Sequence, residues 1–243
     1  MRIGILQADS VLEQFQPKHG NYPEMISSIL QDGARTERVE IEFATYDVEH
    51  GDYPADFQDC DGYVISGSRR SVYDDEPWIR ALEDFVRLLD RHQWPLVGIC
   101  FGHQLIAQAL GGRTEAAATG WGVGIQRSRL TTHPWFIDEG IDGYSLVVSH
   151  KDQVVSLPES AELVATSDYC PNSMFCVGNH FLALQGHPEF TPRYAGDLMQ
   201  MREKILGPET FSRGMASLDS PLSRQDVGRW IIRFLKGRDT AKT

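Results

Sequence analysis

Short apolar runs alternate with stretches of helical periodicity along most of the chain, a pattern that predicts an α/β protein. Arg2–Gln7 reads as a first strand and residues 22–30 as a short helix. Val39, Ile41 and Phe43 alternate with Glu40, Glu42 and Ala44, which predicts a strand with one wet face near a sheet edge. Gly62–Ile65 is a short buried strand that runs into Ser-Gly-Ser. Pro77 suits a first helical turn, and Ile79, Leu82, Val86 and Leu89 beyond it share one helical face. Leu96–Ile99 follows as another buried strand, then a helix over residues 102–110 that stops at Gly111-Gly112.

The middle of the chain is strand-like, with runs at residues 123–130, 144–149, 162–166, 174–177 and 181–185. Two helices close it. One follows Thr191-Pro192, and the other starts at Ser223, whose hydroxyl is placed to cap it together with Asp226. Residues 206–221, rich in Gly, Pro and Ser, read as a long loop. Nothing resembles a linker, so residues 1–243 are expected to form one domain. Its core spans residues 1 to about 200, and a C-terminal extension covers about 206–238.

Composition removes several classes of function. The 243 residues carry 23 Lys and Arg against 34 Asp and Glu, a net charge of −11. That balance lacks the basic footprint of a nucleic-acid binder. The start has no long apolar region before Asp9, and no apolar run approaches the roughly 20 residues of a membrane span, so the expected location is cytoplasmic. Four cysteines (Cys60, Cys100, Cys170 and Cys176) are too few for a disulfide framework, and no zinc-site spacing occurs. No metal or cofactor is expected, since neither a phosphate loop of the G-x-x-x-x-G-K type nor a dinucleotide fingerprint is present.

Two short segments carry candidate chemistry. Gly98-Ile-Cys100-Phe-Gly102 is the cysteine form of a nucleophile elbow between a buried strand and a helix. At a helix N-terminus the free N–H groups and the dipole favour the reactive thiolate, and the Phe101 N–H is placed to meet an oxyanion. Further on, Gln185-Gly-His187-Pro-Glu189 follows an apolar strand. Residues two apart in an extended segment face the same side, so Glu189 can orient the His187 imidazole. Either segment alone is weak evidence, since a buried cysteine or a surface histidine is the commoner finding.

Together, residues 98–104 (Gly-Ile-Cys-Phe-Gly-His-Gln) and the later Gln-Gly-His-Pro-Glu resemble the class I glutamine amidotransferase family. Ser149-His150-Lys151-Asp152-Gln153-Val154 resembles the S-H-x-D-x-V segment of its GMP-synthase branch, and Ile65-Ser66-Gly67-Ser68 stands where that branch has S-G-G-P. The Ile-Ser-Gly-Ser turn, Asp75-Glu-Pro-Trp78, residues 174–181 and the ending Phe234–Arg238 are similar to stand-alone members such as the plant γ-glutamyl peptidases. The resemblance implies a flavodoxin-like fold, with a central, mostly parallel sheet flanked by helices and an added small β region.

It further implies that Cys100 attacks a γ-glutamyl carbonyl, that His187 moves the protons and that Glu189 orients it. Backbone N–H groups of Ser68 and Phe101 would hold the oxyanion, and Gln104, Ser149 and His150 would contact the glutamyl portion. The expected small molecule is glutamine, with ammonia passing to a separate synthase subunit, or a γ-glutamyl conjugate that is simply hydrolysed. A non-catalytic binding module on the same fold is the reading from another class. Arg69, Arg70 and Trp121 depart from the GMP-synthase pattern, and the sequence assigns them no role.

Overall fold

A computed structural model of the protein describes residues 1–237. Arg238, included in the resemblance of the C-terminal segment, lies outside the described residues. The chain runs β1 (Arg2–Gln7), α1 (Gln16–His19), α2 (Tyr22–Glu37), β2 (Glu42–Asp47), β3 (Gly62–Ile65), α3 (Pro77–Arg91), β4 (Leu96–Ile99) and α4 (Phe101–Ala109). Then come β5 (Arg113–Ala116), β6 (Gly122–Leu130), β7 (Gly143–His150), β8 (Asp152–Ser156), β9 (Ala161–Thr166), β10 (Met174–Val177) and β11 (Phe181–Leu184). Three helices follow: α5 (Pro192–Met201), α6 (Glu203–Ala216) and α7 (Arg224–Lys236).

One sheet has the order β2-β1-β3-β4-β11-β10-β9-β6-β7. The strands from β2 to β11 pair in parallel, and β10, β9, β6 and β7 extend the sheet antiparallel. The fully buried β3, β4 and β11 read as continuous apolar runs because helices cover both of their faces. Strand β2 lies at the edge, as its alternation predicts, although it begins at Glu42 rather than Val39. The added β region is a small second sheet of β5 against β8.

Ile3, Ile5, Val64, Val97 and Leu182 pack on one face of the sheet with α2 and α7. Leu6, Tyr63, Ile65, Leu96 and Phe181 pack on the other with α3 and α4. Helix α2 is longer than its apolar pattern suggests. It starts on an Asn21–Glu24 capping box and continues to Glu37, past Gly33, which faces Gly228 of α7 so closely that a Cβ would lie 2.7 Å from the Gly228 carbonyl oxygen.

Two expectations fail in the C-terminal part. Residues 206–221 are not a long loop. Helix α6 occupies Glu203–Ala216, broken at Gly207 (φ 74°), and a tight turn covers Ser217–Asp219. Pro208 opens the second helical piece, where its missing N–H costs nothing, and Gly214 lets that piece approach Val123 and Met199. Ser223 does not cap α7 with its hydroxyl. Its Oγ accepts the Ser145 N–H at 3.1 Å and so ties the start of α7 to β7.

Candidate active site

Cys100 links the end of β4 to the first residue of α4, with φ 52° and ψ −94°. An L-residue rarely adopts this region, and such strain concentrates where a side chain must be presented. Packing fixes the turn. A Cβ on Gly98 would lie 2.5 Å from the Gly102 carbonyl oxygen, and one on Gly102 would lie 2.8 Å from Ile65 of β3, so α4 closes onto β4 and β3 only because both positions lack one. The Cys100 N–H donates to the Leu184 carbonyl at 2.9 Å, which ties the elbow to β11. Phe101 opens α4, and a first helical N–H has no partner within its own helix.

The segment after β11 brings the second group. The His187 N–H donates to the Val147 carbonyl at 2.8 Å, and Arg224 of α7 holds the Pro188 and Glu189 carbonyls at 2.7 and 3.1 Å. His187 Nδ1 lies 2.7 Å from Glu189 Oε1, and both side chains are buried. The ring stacks on Phe190 with centroids 3.9 Å apart and planes 8° from parallel. It borders the same cavity as the Cys100 sulfur, close enough for the two to interact electrostatically. Burial alone would push the imidazole toward neutrality, but Glu189 and then the Cys100 sulfur outweigh it and raise its pKa to about 10. Gly67 makes room for this pair, since a Cβ there would meet the His187 ring at 3.0 Å.

The turn after β3 is pinned from the N-terminal side. The Ser66 Oγ accepts the Ala8 N–H at 3.0 Å. Buried Asp9 accepts the Arg69 backbone N–H at 2.8 Å and its Nε and Nη2 at 2.8 and 2.7 Å. Arg69 is therefore a fastener of the turn that carries Ser68. Arg70 lies 3.4 Å from Glu76.

Two cavities meet at Cys100, and Ser68, Arg69, Ser149 and Arg202 border both. The one on the His187 side holds about 30 Å3, walled by Val11, Tyr22, Phe190, Tyr194 and Leu198. The other holds about 210 Å3 and is lined by Gln104, Trp121, His150, Lys151 and Tyr73. Gln104 Nε2 is committed to the Asp152 carbonyl at 2.8 Å and to Gln185 Oε1 at 3.1 Å, while Gln185 Nε2 donates to the Cys100 sulfur at 3.4 Å. His150 Nδ1 lies 2.9 Å from the Asp152 carbonyl, and its buried Nε2 has no partner. Burial drives its pKa down to about 4.

The structure thus brings Cys100, His187, Glu189, Ser68, the Phe101 backbone, Gln104, Ser149 and His150 together, along with Trp121. Cys60, Cys170 and Cys176 are buried elsewhere, and burial pushes the Cys170 and Cys176 thiols up to about 12. A sequence-family model described as glutamine amidotransferase class-I matches residues 21–204.

The chain belongs to the class I glutamine amidotransferase family.

Within this family it is 29% identical over 249 residues to a glutamine amidotransferase-like protein of Schizosaccharomyces pombe, covering 96% of this chain and 98% of that one. It is 29% identical over 247 residues to γ-glutamyl peptidase 2 of Arabidopsis thaliana, covering 98% and 97%. A crystal structure of a glutamine amidotransferase from Thermotoga maritima superposes with a TM-score of 0.71 at 19% identity, covering 97% of this chain and 96% of that one, and so shares the fold. The amidotransferase motifs contain the elbow and the His-Pro-Glu segment but give no hint of Asp9, Arg202 or Arg224. Asp9 had one available signal: it stands just past the C-terminal end of a parallel strand, where open α/β sheets place their sites.

Proposed function

We propose that the protein hydrolyses γ-glutamyl amide bonds through Cys100, His187 and Glu189. One observation carries this reading. The strained Cys100, at the N-cap of α4, shares a cavity with a buried imidazole that a buried carboxylate and the sulfur keep charged. The sulfur attacks the γ-carbonyl carbon, and the resulting oxyanion is held by the Ser68 and Phe101 N–H groups, each worth about 3 kcal/mol. The C–N bond then breaks as His187 gives its proton to the departing nitrogen, leaving a glutamyl thioester on Cys100. Water surrenders a proton to His187 and attacks the thioester, the C–S bond breaks, and glutamate leaves.

The larger cavity is the seat of the glutamyl portion. Gln104 has spent its amide nitrogen on the protein, so its Oε1 is the atom left for a substrate ammonium group. Ser149 retains its hydroxyl proton, and the unpartnered His150 Nε2 is a further polar contact. The leaving nitrogen departs on the His187 side, because that ring must reach it.

Glutamine is the family's common substrate, and its ammonia would pass to a separate synthase. A second reading, cleavage of γ-glutamyl peptides, is favoured by the nearly full-length likeness to γ-glutamyl peptidase 2. The test is glutamate release from glutamine and from γ-glutamyl peptides without nucleotide, with Cys100→Ala as the blank. Cys100-dependent glutamate is expected, and faster turnover of peptides than of glutamine places peptidase activity first. No Cys100-dependent glutamate from any of them, even with candidate synthases added, refutes the hydrolase.

A further inference from the structure

Among the cations around the mouth of the site, Arg202 stands apart. Arg69 is spent on Asp9 and Arg70 on Glu76. Arg202, at the C-terminal end of α5, has no carboxylate within ion-pair distance among the described residues. Its guanidinium lies over the Trp121 ring at 5.3 Å from the centroid, and its Nη1 donates to the Ser149 Oγ at 2.9 Å. A half-buried guanidinium fixed by one aromatic face and one hydroxyl, with donors to spare, is preorganised for a planar anion.

Its position says which anion. Arg202 borders both cavities at Cys100. The cavity on the His187 side holds about 30 Å3, against about 210 Å3 on the other side. Ammonia fits there; a larger amine must leave along the rim, past Arg202. Lys151, exposed on the same rim, adds positive charge to the mouth of a chain whose net charge is −11. Asp152, which lines the larger cavity and accepts the Ser71 hydroxyl, offsets one of these charges, and the remaining positive charge of Arg202 and Lys151 favours anionic substrates.

We propose that Arg202 binds a carboxylate carried by the departing amine, so that the site favours γ-glutamyl amino acids and peptides over glutamine. The proposal rests on the hydrolase reading above and names the substrate class of that site. Trp121 and Ser149 hold the guanidinium in place, and Arg202 selects the leaving group while Cys100, His187 and Glu189 carry the chemistry.

The experiment compares γ-glutamylglycine with γ-glutamylethylamide, whose leaving amine has no carboxylate, in the native enzyme, Arg202→Gln and Arg202→Lys. Thermal melting of each variant checks the fold. Arg202→Gln is expected to raise KM for γ-glutamylglycine about 10- to 100-fold, with kcat changed only a few-fold and KM for the ethylamide unchanged. Arg202→Lys should recover part of the loss. In a Cys100→Ser background, calorimetric binding of γ-glutamylglycine should weaken by the same factor. Equal increases in KM for both substrates would overturn the proposal alone, by assigning Arg202 to the glutamyl carboxylate or to the scaffold, and so would no increase for either. Absence of Cys100-dependent glutamate from both substrates would overturn the hydrolase reading, and this proposal with it.

Discussion

Two buried histidines flank Cys100, and their surroundings drive their pKa values in opposite directions. His187 borders the small cavity and His150 the large one, at 3% and 4% exposure. Burial presses both toward the neutral form. His150 meets only a backbone carbonyl and ends at a pKa of about 4, and His103 behind it, likewise bonded to a backbone carbonyl, falls to about 3. His187 meets Glu189 and the sulfur, and rises to about 10. Burial does not decide what a histidine does here; a carboxylate at 2.7 Å, together with the sulfur, does. In the proposed hydrolase, the His187 wall moves a proton and the His150 wall holds the substrate without doing so.

The strongest way to break this contrast is to remove the group both walls serve. Cys100→Ala should lower kcat/KM for a γ-glutamyl amide by at least about 10^4-fold, measured as glutamate release, and leave the fold intact. Glu189→Gln comes next, since it keeps the shape but turns the His187 wall into a second His150 wall. A loss of about 10^3- to 10^4-fold in kcat is expected. A loss below tenfold would mean that Glu189 does not set the state of His187.

The same variant has a signature in stability. The His187 pKa is raised on folding, so its contribution is complete below about pH 6.5 and fades as pH rises toward 10. The gap in unfolding free energy between native protein and Glu189→Gln should therefore be wide near neutral pH and narrow by pH 10. His150 has the opposite sign. Its depressed pKa gives stability that is present above about pH 6.5 and lost as pH falls toward 4. In His150→Gln, denaturant midpoints should fall less steeply over that interval than in the native protein.

A smaller effect is expected at the turn that faces both walls. Asp9→Ala frees Arg69, which is half exposed and rehydrates readily. The cost should be about 1–2 kcal/mol in denaturant unfolding, with a several-fold loss of kcat as the Ser68 turn loosens.

The elements legible in the sequence are those whose cause is local. A buried strand followed by Gly-x-Cys-x-Gly announces the elbow, and a His and Glu two residues apart announce their own contact. Strands β3, β4 and β11 are readable because burial on both faces makes them continuously apolar. Strand β5 is not, since only Thr114 of its four residues is buried and pairing with β8 alone makes it a strand. Gly207, Pro208 and Gly214 looked like loop composition, yet Gly207 breaks a helix, Pro208 restarts it and Gly214 allows a close contact. Asp9 and Arg202 each acquire their meaning from a partner far along the chain, 60 residues away for Arg69 and 53 for Ser149. No periodicity or short motif encodes such pairs.

The central claim is that Cys100 carries the γ-glutamyl group between two half-reactions. The direct measurement is mass spectrometry of the protein quenched in acid during turnover of a γ-glutamyl amide, followed by digestion. The account predicts a glutamyl adduct on the peptide containing Cys100, removed by hydroxylamine and absent from Cys100→Ala, with Cys60, Cys170 and Cys176 unmodified. Turnover without any adduct at Cys100, under conditions that trap a known thioester enzyme, or an adduct on another cysteine, would contradict it.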